Sequence, residues 1–315
     1  MRDRTSGLQV LYIMGTGRSG STALGIALGN VPGLFYGGEL HSWVLFGGRP
    51  KSDWPATVEL WSRVAGRMQK GDLEIGRAFS RGLEHHRSLL RRPSPELVAQ
   101  HRDLTKRLVT AILEETGADA VVDSSHYPQR AAQLRRNPHV DAHIVHLVRN
   151  PVAVIDALQK TVQRKEPMGV LKANAYSLIV WVLSTIQYAR VRPNRRIRVR
   201  YEDFLDDPCA VVARICERFD VEGRLANAVD LPTGRVFQGN RLREAETISI
   251  GPQPVTRVMS RGARLLTAIL QLPVLIHHGY VVGRRRARPR DAGEGRHEAP
   301  GRSESSAGRA DARDQ

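Results

Sequence analysis

Cysteine is scarce in this chain of 315 residues, which carries only Cys209 and Cys216. The two sit in one expected helix, about 10 Å apart at a rise of 1.5 Å per residue, which is too far for a disulfide. No Cys/His spacing of a metal site occurs either, so no metal is expected. Without a cross-link, the protein is expected to work reduced, in a cytoplasm-like compartment. Aromatic residues make up 5% of the chain. With no RNA-recognition signature, zinc pattern or basic heptad helix, nucleic acid is not an expected partner. No secretory signal is expected at the start, where a short apolar run leads straight into glycines. A long apolar run is also missing. The stretch Leu265–Val282 touches the lower limit for crossing a bilayer, but Gln271, Pro273 and His277-His278 interrupt it. A helix packed on the body is expected there, with peripheral membrane contact as the alternative.

Positive charge is plentiful. The formal net charge is +16, and residues 284–315 hold nine Arg against six acidic residues, so most of the excess lies on the body. A basic body suits a cofactor or acceptor carrying several negative charges. The 41% of hydrophobic residues suffices for a core in one large domain.

The stretch Leu8–Asn30, LQVLYIMGTGRSGSTALGIALGN, reads as strand, glycine-rich loop and helix start. Leu8, Val10, Leu11 and Ile13 are apolar enough for a buried parallel strand. Gly15, Gly17 and Gly20 let the backbone turn tightly and bring N–H groups close to an anion. Ser21 and Thr22 add hydroxyls and are expected to cap the following helix, whose dipole favours negative charge. Gly15, Gly20 and Thr22 have the spacing of a Walker A loop, but the lysine position holds Ser21. A P-loop NTPase needs that lysine on the phosphates and the next hydroxyl on Mg²⁺. Here the loop cation is Arg18, whose planar donor fork suits a tetrahedral oxyanion without a metal.

The pattern Gly-x-Gly-Arg-Ser-Gly-Ser-Thr over Gly15–Thr22 resembles the 5′-phosphosulfate loop of the sulfotransferases that use 3′-phosphoadenosine 5′-phosphosulfate (PAPS). A generic glycine-rich turn before a helix is the alternative. The resemblance implies that Gly17, Arg18, Ser19, Gly20, Ser21 and Thr22 hold the phosphosulfate. It also implies that Arg149, in HLVRNP after a later strand, binds the 3′-phosphate; a surface arginine capping that strand is the alternative. Arg243, in Gly239-Asn240-Arg241-Leu242-Arg243, resembles the family's late stretch over the nucleotide; a solvated basic turn is the alternative. Two positions depart from the pattern. Ala157 stands where a serine also contacts the 3′-phosphate, a loss of about 1 kcal/mol of net binding. His126, two residues before Pro128, stands where relatives place a lysine on the transferring group; a histidine capping the helix after Ser125 is the alternative.

Glu39, in Gly37-Gly38-Glu39, matches the context of a catalytic glutamate in the tyrosine-sulfating branch of the family. Pairing with Arg18 or capping a helix are its alternatives, and His41 is a second candidate base. If a charged His126 supported the transferring group, activity would fall as pH rises past its pKa. The block Arg200-Tyr201-Glu202-Asp203-Phe204 resembles a family stretch and is read as structural: a strand end and acidic turn before the cap Asp207-Pro208.

Along the chain, Thr57–Met68, Asp72–His86 and Glu96–Thr116 read as helices. Asp119–Asp123 reads as a strand, Pro128–Arg136 as a helix, and Ala142–Val148 as a strand followed by a helix to about Arg164. A helix over Asn174–Val191, a strand over Arg196–Tyr201 and a helix from Asp207-Pro208 to Phe219 complete the body. The segment VPGLFYGGELHSW after the first helix is expected to be irregular. The fold class is therefore α/β, a P-loop-type three-layer fold with a mostly parallel central sheet flanked by helices. The domain is placed at 1–283 with a helical substrate-side insertion at about 56–117, and 284–315 is expected to be a disordered basic tail. The implied function is sulfuryl transfer from PAPS to a hydroxyl or amine of a small-molecule, carbohydrate or lipid acceptor. A nucleotide-dependent phosphotransferase, or a non-catalytic anion-binding or membrane-surface protein, are the alternatives.

Overall fold

Strand β1 (Leu8–Gly15) is the middle of five, and its sequence shows why. Leu11 and Ile13 face one core cluster while Val10, Tyr12 and Met14 face another, so both faces of the strand are buried and an unbroken apolar run is required. The structure, a computed structural model, describes residues 7–69, 71, 83–85, 93–160, 169–239, 241–252 and 257–281. After β1 come α1 (Ser21–Gly29), β2 (Leu34–Gly38), α2 (His41–Leu45), α3 (Pro55–Gly66) and α4 (Pro95–Thr116). Next are β3 (Ala120–His126), α5 (Pro128–Arg136), β4 (Val140–Val148), α6 (Pro151–Gln159) and α7 (Val170–Ala189). The order ends with β5 (Arg196–Arg200), α8 (Tyr201–Asp206), α9 (Pro208–Arg218), a ribbon of β6 (Leu231–Pro232) and β7 (Thr247–Ile248), α10 (Arg261–Leu270) and α11 (Leu272–His277).

The five strands run parallel in the order β2-β3-β1-β4-β5, and helices cover both faces. The expected α/β three-layer class is what the structure shows. Local chemistry sets several boundaries. Prolines open α3, α4, α5, α6 and α9, where the missing N–H costs no hydrogen bond. Side chains of Ser94, Asn150 and Asp207 cap α4, α6 and α9 by accepting from Leu97, Val152 and Ala210 N–H.

Three expectations change. The segment read as irregular contains β2, because its glycines lie at its two ends and leave Leu34 and Tyr36 to pack in the core. Tyr201–Asp206 is a helical turn rather than a strand end and loop. The apolar stretch from Leu265 is two helices that meet at Gln271, a buried residue whose Nε2 donates to Asn174 O at 3.1 Å and Oδ1 at 3.0 Å. Among the described residues no helix is long and apolar enough to cross a membrane. Most of the expected helix Asp72–His86, the end of the helix to Arg164 and the tail 284–315 lie outside the described residues.

Register aligns the strand ends. Gly15 lies beside Leu147, Met14 opposite His126, Gly38 opposite Asp123 and Val148 beside Arg200. The segments after all five strands therefore open on one edge, where ligands of open α/β sheets bind. Two bulges mark that edge. Tyr12 pairs with Asp123 but Met14 with His126, so β3 carries one extra residue, and β2 carries one between Tyr36 and Gly38.

Candidate active site

The loop after β1 makes its turn at Gly20, which adopts φ 97° and serves as the N-cap of α1 with no side-chain cap bond. Ser21 and Thr22 therefore begin the first turn instead of capping it, a correction to the sequence reading. The reason is steric. A Cβ at Gly20 would stand 2.1 Å from the Tyr201 ring, so only glycine fits where the loop meets α8. Arg18 also takes a left-handed conformation (φ 68°), and Gly17 faces the Tyr176 hydroxyl of α7. Ser19 is fully buried, and its Oγ has no hydrogen-bond partner. The loop thus holds an orphaned polar atom beside a turn whose first N–H groups have no helix carbonyl to bond. These features fit an oxyanion.

Arg149 follows β4 and reaches back to the loop, where its Nη1 donates to Arg18 O at 2.9 Å. Its guanidinium lies 4.7 Å over the Tyr201 ring. The next residue is anchored by the block read as structural: Asn150 N–H donates to Glu202 Oε1 at 2.9 Å, and Tyr280 OH donates to Glu202 Oε2 at 2.7 Å. Tyr201 and Glu202 thus position Arg149 and the loop, whereas the sequence reading gave the block only a structural role as strand end and acidic turn. Ala157 lies half-buried on α6.

Glu39 sits just past the end of β2. Gly38 turns there with φ 84°, and a Cβ would lie 2.1 Å from Gln238 O. The chain near Gln238 returns as an extra partner: Glu39 N–H donates to Gln238 O at 2.8 Å and Phe237 N–H to Gly37 O at 3.1 Å. This return brings Arg243 to the site. Its Nε donates to Gly239 O at 3.4 Å and its Nη1 to Lys51 O. Burial pushes the Glu39 carboxyl up to about 7, Asp123 adds to the rise, and Arg18, Arg243 and Lys51 pull against it. Glu39 is the one candidate base poised near neutrality.

His41 and His126 are brought near it but in another state. Burial pushes His41 down to about 3 and His126 to about 4, so both rings are neutral at neutral pH. His126 has φ 58° at the β3 bulge, with its ring 4.5 Å from that of Tyr127, and the His41 ring stands 4.8 Å from Tyr127. A charged His126 is therefore not the resting form that the sequence reading considered.

Behind Glu39 lies a network that sequence reasoning missed. Asp123, at the end of the expected strand Asp119–Asp123, is fully buried. Its Oδ1 accepts from Ser125 N–H at 2.9 Å and Leu40 N–H at 3.4 Å, and its Oδ2 from Arg130 Nε at 2.7 Å. His41 N–H donates to Ser125 Oγ at 3.0 Å. Arg130 also pairs with buried Glu84, whose Oε1 lies 2.9 Å from His101 Nε2. The turn carrying Glu39 thus rests on Asp123 and Ser125, and these rest on Arg130. One clue was available, an aspartate within an otherwise buried strand with an arginine seven residues on. Among the described residues, no group of three or more His, Cys, Asp or Glu side chains is placed to hold a metal ion.

A glycine-rich loop with a buried unpaired hydroxyl, an arginine after β4 and a carboxyl near neutrality converge on one sheet edge. A model of the sulfotransferase family matches residues 11–224, and the chain belongs to that family. Among solved structures, it is similar to the sulfotransferase domain from the curacin biosynthetic pathway, at 18% identity, covering 86% of this chain and 99% of that one with a TM-score of 0.48. It is also similar to a sulfotransferase from Alicyclobacillus acidocaldarius, at 16% identity over 86% and 94% of the two chains with a TM-score of 0.47. A sulfotransferase from Mycobacterium avium is similar at 16% identity over 87% and 76%, with a TM-score of 0.49. No curated protein matches the chain.

Proposed function

We propose that the protein transfers a sulfuryl group from PAPS to a hydroxyl or amine of a small-molecule, carbohydrate or lipid acceptor. The observation that carries this reading is Glu39, a carboxyl pushed up to about 7 within the influence of the loop cation Arg18 and of Arg243. PAPS would supply the activated sulfuryl group. Loop N–H groups of Gly17, Arg18, Ser19, Gly20, Ser21 and Thr22, with the Arg18 side chain, would hold its phosphosulfate. Arg149 would hold the 3′-phosphate, with Arg243 as a second cation. Glu39 would accept the acceptor's proton, and a base with pKa near the working pH serves that role well. Neutral His126 would donate one N–H to the transferring group or orient the acceptor.

Thermal unfolding with 3′,5′-adenosine bisphosphate, beside ATP plus Mg²⁺, tests the cofactor. A ligand at about 100 times its dissociation constant adds about 2.7 kcal/mol, a readable shift in midpoint. Stabilisation by the bisphosphate alone, lost in Arg149→Ala, is expected. A response to ATP–Mg²⁺ without one to the bisphosphate would replace sulfuryl by phosphoryl transfer.

A lipid-bearing acceptor is favoured by the outer faces of α7 and α10–α11. Leu171, Ile179, Leu265, Ile269 and Ile276 are each more than half exposed, at 67%, 51%, 65%, 61% and 60%. Exposed Arg257 and Arg261 stand beside them, and a net charge of +16 opposes pairing of two copies. Apolar face and basic rim together suit an anionic bilayer surface. The protein is expected to sediment with vesicles containing phosphatidylserine but not with phosphatidylcholine alone, and Leu265→Asp/Ile269→Asp should abolish this. Equal recovery with both vesicles, or no effect of the variant, would remove the membrane from the proposal.

A further inference from the structure

At the other end of β4, where the strand begins, four arginines surround a cavity of about 360 Å³: Arg135, Arg190, Arg192 and Arg195. Val140 and Val191 complete an apolar wall. The nine residues of β4 separate this cavity from Arg149 by about 30 Å. Arg195 is neutralised by Asp141. Arg135, Arg190 and Arg192 have no carboxylate partner among the described residues, and the Arg135 Nε is buried without a hydrogen-bond partner. Burial, with Arg136 and Arg190 adding like charge, presses the Arg135 guanidinium below its ordinary value.

The bland account is that these cations balance the C-terminal dipoles of α5 and α7, which both end here. It explains too little. A last-turn carbonyl of α7, Tyr188 O, accepts from Arg196 Nη1 at 2.6 Å, whereas the Arg190 and Arg192 side chains make no hydrogen bond to that end among the described residues. A dipole also leaves the volume and the unsatisfied Nε unaccounted for. Like charges gathered around an open cavity raise the energy of the empty protein, and an anion entering it would relieve that cost.

We infer that this cavity is a second anion site, which binds a small molecule bearing a phosphate or diphosphate group. Three uncompensated guanidiniums match the charge of such a group, and their planar forks match its oxygens. The volume lies at the small end for ligand pockets and admits a compact molecule, not a polymer. The apolar wall leaves room for a non-polar part of the ligand beside its phosphate.

Isothermal titration of the full chain with inorganic pyrophosphate at fixed ionic strength tests the site. An Arg18→Ala/Arg149→Ala background separates it from binding at the glycine loop, which relies on both cations. One pyrophosphate per chain is expected to bind in that background, and Arg135→Gln/Arg192→Gln should weaken it by about tenfold or more. Arg190→Gln, a change at an exposed residue, should weaken it in the same direction. Without pyrophosphate, the unfolding midpoint of the double variant should stay level or rise, because like-charge repulsion is relieved. The inference is overturned by unchanged affinity in these variants or by no binding in the Arg18→Ala/Arg149→Ala chain. A midpoint that falls in the double variant, with no pyrophosphate bound, would assign the arginines to the helix ends.

Discussion

Glu39→Gln is expected to lower kcat by about 10²–10⁴-fold, the usual worth of a general base, while making the folded protein more stable above neutral pH. Two opposite signs from one atom replaced make this test specific. Burial holds the folded carboxyl at about 7 against an ordinary 4.5. Between those values the folded protein keeps a proton that the unfolded chain releases. The stability that Glu39 contributes is complete below about pH 4.5 and is lost as pH rises through about 7. Above that point the ionised side chain costs on the order of 2 kcal/mol, after allowing for its partial exposure. Glutamine removes this cost, so the unfolding midpoint at pH about 8 should rise by a few degrees. Were Glu39 only a structural partner of Arg18 and Arg243, the same variant would lower it.

Wild-type kcat/KM should rise with pH through about 7, as Glu39 loses its proton. A charged His126 would give the opposite slope, but its transition lies at about 4. The direction of the profile near neutrality therefore separates the two residues. Bisphosphate-induced stabilisation should survive in Glu39→Gln, since this residue is assigned to the acceptor and not to the nucleotide.

Arg130→Met is expected to produce the largest loss of stability, about 3–5 kcal/mol, by leaving two buried carboxylates without their shared cation. Methionine keeps much of the apolar stem, so the loss reports charge more than volume. Asp123 and Glu84 are both nearly inaccessible, and Arg130 touches both. Burial works against the Glu84 carboxylate, yet Arg130 and His101 hold it well below the usual carboxylate range. In the wild type that stability is present above the ordinary carboxylate pKa and is lost as pH falls below it. In the variant the slope should reverse, because protonating Glu84 would relieve a buried charge left without its cation. Denaturant unfolding across acidic pH reads this directly. The triple variant Asp123→Asn/Glu84→Gln/Arg130→Met should recover part of the loss; no recovery, or an unchanged slope, would count against the network. Activity should fall too, since Asp123 and Ser125 carry the turn that places Glu39.

Local sequence made parts of this molecule legible. The apolar run of β1 with the glycines after it announced a strand, an anion loop and a helix start. Pro128, Pro151 and Asp207-Pro208 marked helix starts that the structure retains. These signals are short-range: backbone conformations that only glycine tolerates, an N–H that proline lacks, and side chains that bond two or three residues on. β2 was hidden because its turn residues and its strand residues share one short segment, and only pairing with β3 decides between them.

The chemistry of the site was less legible, for a physical reason. His126 and His41 look like titrating groups in a sequence, and burial, helped by neighbouring imidazoles, keeps them neutral. Asp123 looks like a ligand at a strand end, and Arg130 turns it inward as a support. Arg243 joins Glu39 only because the chain returns at Phe237 and Gln238 to pair with the end of β2, some two hundred residues away in sequence. Sequence by itself determined the fold class, the glycine turn after β1 and the identity of the groups available for chemistry, since these follow from local geometry and apolar periodicity. Tertiary structure alone decided which groups meet, which are desolvated and hence which hold a proton at neutral pH, because charge states depend on burial and on neighbours that the chain supplies from far away.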